Sequence, residues 1–566
     1  MFYTFLFIFQ GYCISILFAP IYKFFMTPRL YVLINCFFLS LLCLSAVLSL
    51  PNVSFFSSHL HFLFDSSAYL SQTIDINFHY TFGPLSIYFS LLVILIGIAT
   101  NIYSLFYFKY EAEEFVFLWI LNAFIASMVH LTLSNNFYSL FFGWEMIGIT
   151  SYFLINFWRH KPSTFKSSIK AFSFNLVSDI FLIASFVCFY LATGATNFEF
   201  FYHIVKFNNM YDSFYIWYGS VFLIICSSIK SVQICGHLWL PDSMEAPVPA
   251  SSLIHSATLV SAGVFLLCKF SFLICGVGFI QVVALIGAAT AALGGLVSAA
   301  QTDLKKLLAY STMSHCGFLW YLSSLGNLYP VIIYLYIHGF LKAVTFFCSG
   351  SFIRSYGTQD SRWMGSSHVI TRLDTFFLIF SGANLAGLPM TLGFYYKYIF
   401  FNSLIFSTSN SFCGALLIIG MLSSLIYFYR LVFYVTFDYY KNTRNLPQIH
   451  LKQNRYFFNE IFQQTAFNHF FAVFLIFFYV FVSYFFFYYL SSVCYVYIDD
   501  WFNLSEDIST NPALNSVYLN FFLIFYVLYL ILVLLIFLLA YKRNIYYVEF
   551  SFIIIFILCI AFFTFF

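Results

Sequence analysis

The sequence predicts an all-α polytopic membrane protein of roughly sixteen transmembrane helices, and three observations carry that expectation. Of 566 residues, 62% are hydrophobic and only 8% charged, with 83 Phe and 44 Tyr; soluble domains carry about 25% charged residues. Nearly every stretch of about 20 residues is apolar enough to cross a bilayer, where a helix satisfies its own backbone hydrogen bonds. The Lys and Arg side chains concentrate in alternate connections, as a positive-inside orientation demands.

Apolar runs bounded by charge or turn residues place the spans near 2–22, 30–50, 84–106, 115–134, 136–157, 168–193, 213–235, 249–268, 275–299, 307–325, 328–350, 372–405, 413–437, 466–490, 517–540 and 551–566. If these alternate, only Lys206 and Lys269 fall on the less basic side, and Lys230, Lys342 and Lys397 fall inside spans. The run 372–405 is too long for one straight crossing and contains SGANLAGLPMTLGF, a Gly/Pro interruption that implies a broken helix lining a polar cavity. No Pro/Ser/Gly-rich linker or charged block divides the chain, so residues 1–566 read as one integral domain. The start, MFYTFLFIFQGYCISILFAP, reads as a first spanning helix rather than a cleaved address. The Phe and Tyr content fits an AT-biased organellar genome. Thirteen cysteines are scattered without a C-x-x-C, so neither an iron–sulfur nor a zinc site is predicted. No glycine-rich phosphate loop occurs.

With charge this scarce, each ionisable residue in a span is a functional candidate, since placing it there costs at least ~2.5–3.5 kcal/mol. The candidates are Glu145, Asp179, Lys230, His255, His338, Lys342 and Lys397. Carboxylates come first along the chain, then lysines and histidines. A Glu and a Lys facing each other across helices can share a proton or an ion pair, and a row of such groups is a proton relay. The competing reading makes them structural ion pairs, snorkelling side chains or, for the histidines, interhelical hydrogen-bond partners. His130, Asp374 and Lys269 lie near span ends and are expected to be solvated. Residues 226–268 add a specific pattern: Lys230, then His237, a WLPD turn, Pro247, Pro249 and a second polar helix with His255. Prolines between two spans free backbone carbonyls that water must satisfy, which predicts a wet pocket beside Lys230 and a break near 213–242.

These residues resemble the antiporter-like subunits of proton-pumping NADH:ubiquinone oxidoreductase, respiratory complex I, over about residues 84–400. The resemblance rests on NNFYSLFFGWEMIGITSYFLINFW (135–158), IKAFSFN (169–175), KSVQICGHLWLPDSMEAPVPASSLIHSATLVSAGVFL (230–266), TDLKKLLAYSTMSHCGF (302–318), HGFLKAVTFF (338–347) and DSRWMG (360–365). The GWE segment followed by S-Y-F-L-I is similar to the chain 5 type. The resemblance implies an antiporter-like fold with inverted repeats, a core over 84–440, and Glu145 paired with Lys230. It implies protons passing from Lys230 by His255 and Lys342 to Lys397. It also implies a multi-pass chain of the mitochondrial inner membrane, organelle-encoded and without a cofactor of its own. NADH, FMN, iron–sulfur clusters and ubiquinone belong to other subunits. The implied partners are other membrane-arm subunits, a chain 4-type neighbour above all, with membrane lipids and no nucleic acid.

The departures are specific. Where the family commonly reads N-R-V-G-D, this chain has Asn175, Leu176, Val177, Ser178 and Asp179; Tyr398 stands beside Lys397 in place of an acid, and Gly83 where an aspartate is usual. Only residues 541–550 separate the last two apolar runs, so in the C-terminal part, 441–566, the family's lateral helix is expected to be shortened or absent. Two other functions stay open at this point. One is a subunit of a multi-subunit cation/proton antiporter; the other is a structural scaffold whose buried charges only position helices.

Overall fold

The computed structural model describes residues 2–437, except 24–25, 50–57, 61–78, 109–110, 112, 327, 366, 368–371, 389–390, 395–396 and 398–410. The expected spans 466–490, 517–540 and 551–566, and the question of the lateral helix, lie outside the described residues. Two compact units are distinguished. The described part of the first runs to Ala386 and resumes at Ser411; that of the second lies within Gly387–Lys397.

The first unit is helical almost throughout. Its helices are α1 (Phe2–Leu17), α2 (Ala19–Tyr22), α3 (Pro28–Ser49), α4 (Pro84–Tyr107), α5 (Glu114–Leu133), α6 (Phe137–Ile155), α7 (Pro162–Thr193), α8 (Phe198–Phe207) and α9 (Phe214–Lys230). After an irregular crossing come α10 (Val248–Ser256), α11 (Leu259–Lys269), α12 (Ser271–Val277), α13 (Ile280–Ala300), α14 (Leu304–Ser324), α15 (Leu328–Tyr356), α16 (Arg372–Ala386) and α17 (Ser411–Val432). A short antiparallel pair, β1 (Ser58–Leu60) with β2 (Tyr80–Phe82), precedes α4. Among the described residues, eight helical stretches are long and apolar enough to cross a membrane. Two more, α6 with 19 residues and α14 with 21, have the length but carry more polar side chains.

Between apolar helices in lipid there is no hydrophobic drive to associate, so packing rests on close backbone approach and a few polar contacts. Both are present. The sequence of α13, IQVVALIGAATAALGGLVSAA, is a run of small residues that packs against α14 and α17. A Cβ on Gly317 would come within 2.5 Å of the Ala291 nitrogen, and one on Gly294 within 2.7 Å of the Ser314 nitrogen. Toward the N-terminus, Asn101 and Asn122 exchange amide hydrogen bonds at 3.0 Å, and the Tyr12 hydroxyl donates to Asn122 Oδ1 at 2.9 Å. These contacts tie α1, α4 and α5.

The structure changes three expected spans. The expected run 168–193 begins earlier, at Pro162, and makes a 32-residue helix closed by left-handed Gly194 (φ 69°). The run 249–268 is not one helix: α10 and α11 meet at Ala257 and Thr258, whose backbones are non-helical. Hydroxyls support the junction: Thr258 donates to Leu253 O at 3.0 Å alongside the Ala257 N–H at 3.3 Å, and Ser261 donates to Ala257 O at 2.6 Å. The run 275–299 begins inside the short α12, turns at Gly278 (φ 87°) and becomes α13 only from Ile280.

Candidate functional site

Lys230 is the last residue of α9. Beyond it the chain leaves the helix through Val232 (φ 62°) and Cys235 (φ 73°). Left-handed backbone is uncommon for any residue with a Cβ and an outlier for a β-branched one. Strain of that kind, of order 1–3 kcal/mol per residue, persists where surrounding structure enforces it. Here Gly236 sits so close to the helix end that a Cβ would lie 2.8 Å from Ile229 Cα, and the Trp239 indole donates to Ile229 O at 3.1 Å. The crossing then passes Pro241 and Pro247 to reach α10.

The break turns the Lys230 side chain toward α6 and α7. Its Nζ donates to Trp144 O at 3.1 Å, lies 4.7 Å from the centre of the Trp144 ring, and stands 4.0 Å from Asp179 Oδ1. Lys230 is 0% exposed and Asp179 4%. Gly148 makes the room: a Cβ there would be 3.7 Å from Nζ and 3.8 Å from Asn175 Cβ. Asn175 is buried, with neither side-chain polar atom hydrogen-bonded. Buried amides left unmet cost roughly 1–3 kcal/mol, so this is a place that takes up water. Glu145 lies one helical turn before Gly148 and is half-buried. The carboxylate within ion-pair distance of Lys230 is that of Asp179, whereas the resemblance had implied Glu145.

A second cluster surrounds α15. Lys342, 0% exposed, donates to Ser311 Oγ at 2.5 Å and to Leu308 O at 3.3 Å. One turn earlier His338 is buried with both ring nitrogens unbonded, its ring 5.2 Å from that of His315. His255 on α10 reaches Ser243 Oγ at 3.4 Å and stacks on Phe346 at 5.8 Å, one turn after Lys342. Thus His255, His338 and Lys342 converge on one face of α15. In the second unit, the helix break falls at Gly387 (φ 74°), and the Lys397 stem covers it: a Cβ on Gly387 would lie 2.6 Å from Lys397 Cδ.

Other side chains escaped the sequence reading. His130 and Lys269 were expected in solvent, yet His130 is buried with Nδ1 3.0 Å from the Tyr80 hydroxyl. Lys269 donates to Ser134 O and sits 4.2 Å from the Phe198 ring centre. Helix α8 and the turn between α5 and α6 cover that end of α11, which no local pattern announces. Asp374 is buried as well. Lys305, in a connection just ahead of an expected span, is buried and donates to Ala246 O at 3.1 Å and Met244 O at 3.4 Å. It fixes the turn that follows the break. His315, within STMSHCGF and not among the sequence candidates, is buried between the hydroxyls of Tyr334 and Tyr427. Among the described residues no group of His, Cys, Asp or Glu gathers to hold a metal.

A transmembrane family described as NADH:quinone oxidoreductase/Mrp antiporter matches residues 134–426. The chain belongs to that family. It is 41% identical over 463 residues to NADH-ubiquinone oxidoreductase chain 5 of Paramecium tetraurelia, covering 78% of this chain and 79% of that one. It is 32% identical over 366 residues to NADH-quinone oxidoreductase subunit L of Buchnera aphidicola subsp. Acyrthosiphon pisum (strain APS), covering 64% of this chain and 59% of the relative. Its fold is similar to a chain in the structure of the Mrp complex from Dietzia sp. DQ12-45-1b, with a TM-score of 0.66 at 22% identity over 81% of this chain and 49% of that one. The chain therefore spans only about half to three-fifths of the length of these last two proteins. Both clusters of this NADH:quinone oxidoreductase/Mrp-type chain, and Lys397, lie inside the matched region.

Proposed function

We propose that this chain is a proton-translocating membrane-arm subunit of NADH:ubiquinone oxidoreductase, of the chain 5 type. The observation that carries the reading is Lys230 at the end of a broken helix, wholly buried, 4.0 Å from Asp179 and beside the unmet amide of Asn175. A lysine so placed exchanges a proton with a hydrated cavity, and its neighbouring carboxylate decides when. The relay then runs by His255, His338 and Lys342 to Lys397. No redox step belongs to the chain; NADH, FMN, iron–sulfur clusters and ubiquinone are held by other subunits, and quinone reduction there drives the relay. The site of action is the mitochondrial inner membrane.

Glu145 acts at the edge of this site. It is half-buried on α6 beside exposed Phe142, Met146, Ile149 and Phe153, and exposed Ile180 and Ile183 line α7. A carboxylate at that depth is costly against lipid, so a neighbouring subunit of the chain 4 type covers this face.

The first experiment is gentle solubilisation of native membranes followed by a native gel. The chain is expected in a band far larger than 65.8 kDa that oxidises NADH. In that assembly Lys230→Met lowers protons moved per NADH; unchanged stoichiometry would remove the relay. The likeness to an Mrp complex chain supports a second reading, a cation/proton antiporter subunit. Migration apart from NADH oxidation, with sodium-dependent proton exchange, would favour it.

A further inference from the structure

We propose that Tyr334, His315 and Tyr427 form a proton wire that carries protons from the Lys342 cluster across to α17, with His315 as its tautomeric switch. The proposal rests on the relay reading above and adds residues that reading does not use. His315 Nδ1 is 2.7 Å from the Tyr334 hydroxyl, and Nε2 is 3.1 Å from the Tyr427 hydroxyl. All three side chains are buried, and they belong to α15, α14 and α17.

Both ends of this triad lead somewhere. Tyr334, His338 and Lys342 stand four residues apart on one face of α15, the spacing that stacks side chains along a helix. Ser311, which accepts from Lys342, is one turn before His315 on α14. His338 lies between, its ring 5.2 Å from the His315 ring and both nitrogens available. At the far end, Ser424 is one turn before Tyr427 on α17, and its hydroxyl is 3.4 Å from Ala386 O, the last residue of α16 before its break. Polar side chains, some in contact and others one helical turn apart, therefore line a course from the buried lysine of α15 to the end of α16.

The chemistry needs no buried ion to persist on the triad. A neutral imidazole has one N–H and one lone pair, and a phenol both donates and accepts. A proton arriving at the Tyr334 oxygen releases the phenolic proton to Nδ1. The Nε2 proton passes to the Tyr427 oxygen, and the proton of Tyr427 moves on. One proton enters, one leaves, and His315 has exchanged tautomers; the first is restored when the ring turns away from the two hydroxyls, gives up its Nδ1 proton to water and regains one at Nε2, with no net change in protons.

A histidine clamped by two tyrosines can also be only a staple among three helices. Tyr427→Phe and Tyr334→Phe separate the two, because each removes one oxygen and keeps the ring. The measurement is protons moved per NADH in reconstituted complex, with Lys230→Met alongside and assembly checked by the amount and melting of the native-gel band. The wire predicts that both phenylalanine variants assemble as the parent does and that stoichiometry falls to the Lys230→Met level. If Lys230→Met lowers stoichiometry and the assembled phenylalanine variants do not, the wire is overturned and the relay stands. If Lys230→Met itself changes nothing, the relay falls and the wire with it. Should either phenylalanine variant fail to assemble, His315→Met, of similar bulk and unable to pass a proton, takes its place under the same criterion.

Discussion

Lys230 meets two carboxylates of unequal standing, and the inequality is measurable. Asp179 is buried at 4.0 Å, while Glu145 is half-exposed with no ion pair to Lys230 inside 4.0 Å. Breaking a buried pair by removing one partner costs roughly 3–5 kcal/mol, whereas a half-exposed charge loses less. Asp179→Asn is therefore expected to lower both the amount of assembled subunit and its pumping more than Glu145→Gln does, read as native-gel band intensity and protons per NADH. The reverse order would return Glu145 to the place beside Lys230 that the resemblance implied. At this scale the sequence was informative where a charge interrupts an apolar run, because nothing but function or pairing sustains Glu145, Asp179, Lys230 or Lys342 there. It was uninformative for Lys269 and His130, where burial is decided by what folds over the end of a helix: Phe198 and Tyr80 come from distant parts of the chain.

Among the elements, the broken helix α9 depends on how closely α11 can approach its end. A Cβ on Gly263 would fall 2.5 Å from Ser227 O and 2.8 Å from Ser231 Cβ, contacts that backbone cannot give way to cheaply. Gly263→Ala is expected to cost about 1–3 kcal/mol by overpacking and to displace Lys230, seen as less assembled complex with weaker pumping; normal values of both would show that the approach has slack. The break itself was legible in Pro241, Pro247 and Pro249. The one between α10 and α11 was not, since Ser256, Ala257 and Thr258 include neither Pro nor Gly, and the non-helical backbone at Ala257 and Thr258 carries no local sequence signal. A second element, the junction of the connection before α14 with that after α15, has a pH signature. Leu304 N donates to Gln359 O at 3.0 Å and Ser361 N to Thr302 O at 2.9 Å. Beside them the Arg362 guanidinium, hydrogen-bonded to Asp360 at 2.6 Å, holds its carboxyl below the ordinary aspartate range. A depressed folded value stabilises above the unfolded one, about 3.9, and that stabilisation is lost as pH falls through the folded value. Amide exchange at Leu304 and Ser361 should then be slower in the parent than in Arg362→Ala at neutral pH, with the difference vanishing in strong acid. A difference that persists in acid would assign the protection to something other than this pair.

Across the whole molecule, the charge pattern makes a claim about sides. Arg159, His160 and Lys161 follow α6 with no acidic residue among them, and Lys305 and Lys306 open α14. Among the described residues the opposite surface has little positive charge to offer: Lys269 is engaged with Ser134 O, and Lys206 is exposed on α8. That helix lies as an amphipathic segment, Phe198, Phe201 and Val205 inward and Phe200 and Phe207 exposed, the pattern of a helix resting at a membrane surface. The long helix α7 separates it from Lys161, and its 32 residues at 1.5 Å each exceed a hydrocarbon core of about 30 Å. Lys161 and Lys206 must then face opposite compartments. Cysteines introduced at each, probed with a membrane-impermeant maleimide in sealed vesicles of both orientations and compared with the parent's own background, should label in opposite preparations, Lys161→Cys on the side that holds the basic connections. Labelling of both from one side would break the alternation of spans, and with it the assignment of which end of the relay loads protons and which releases them.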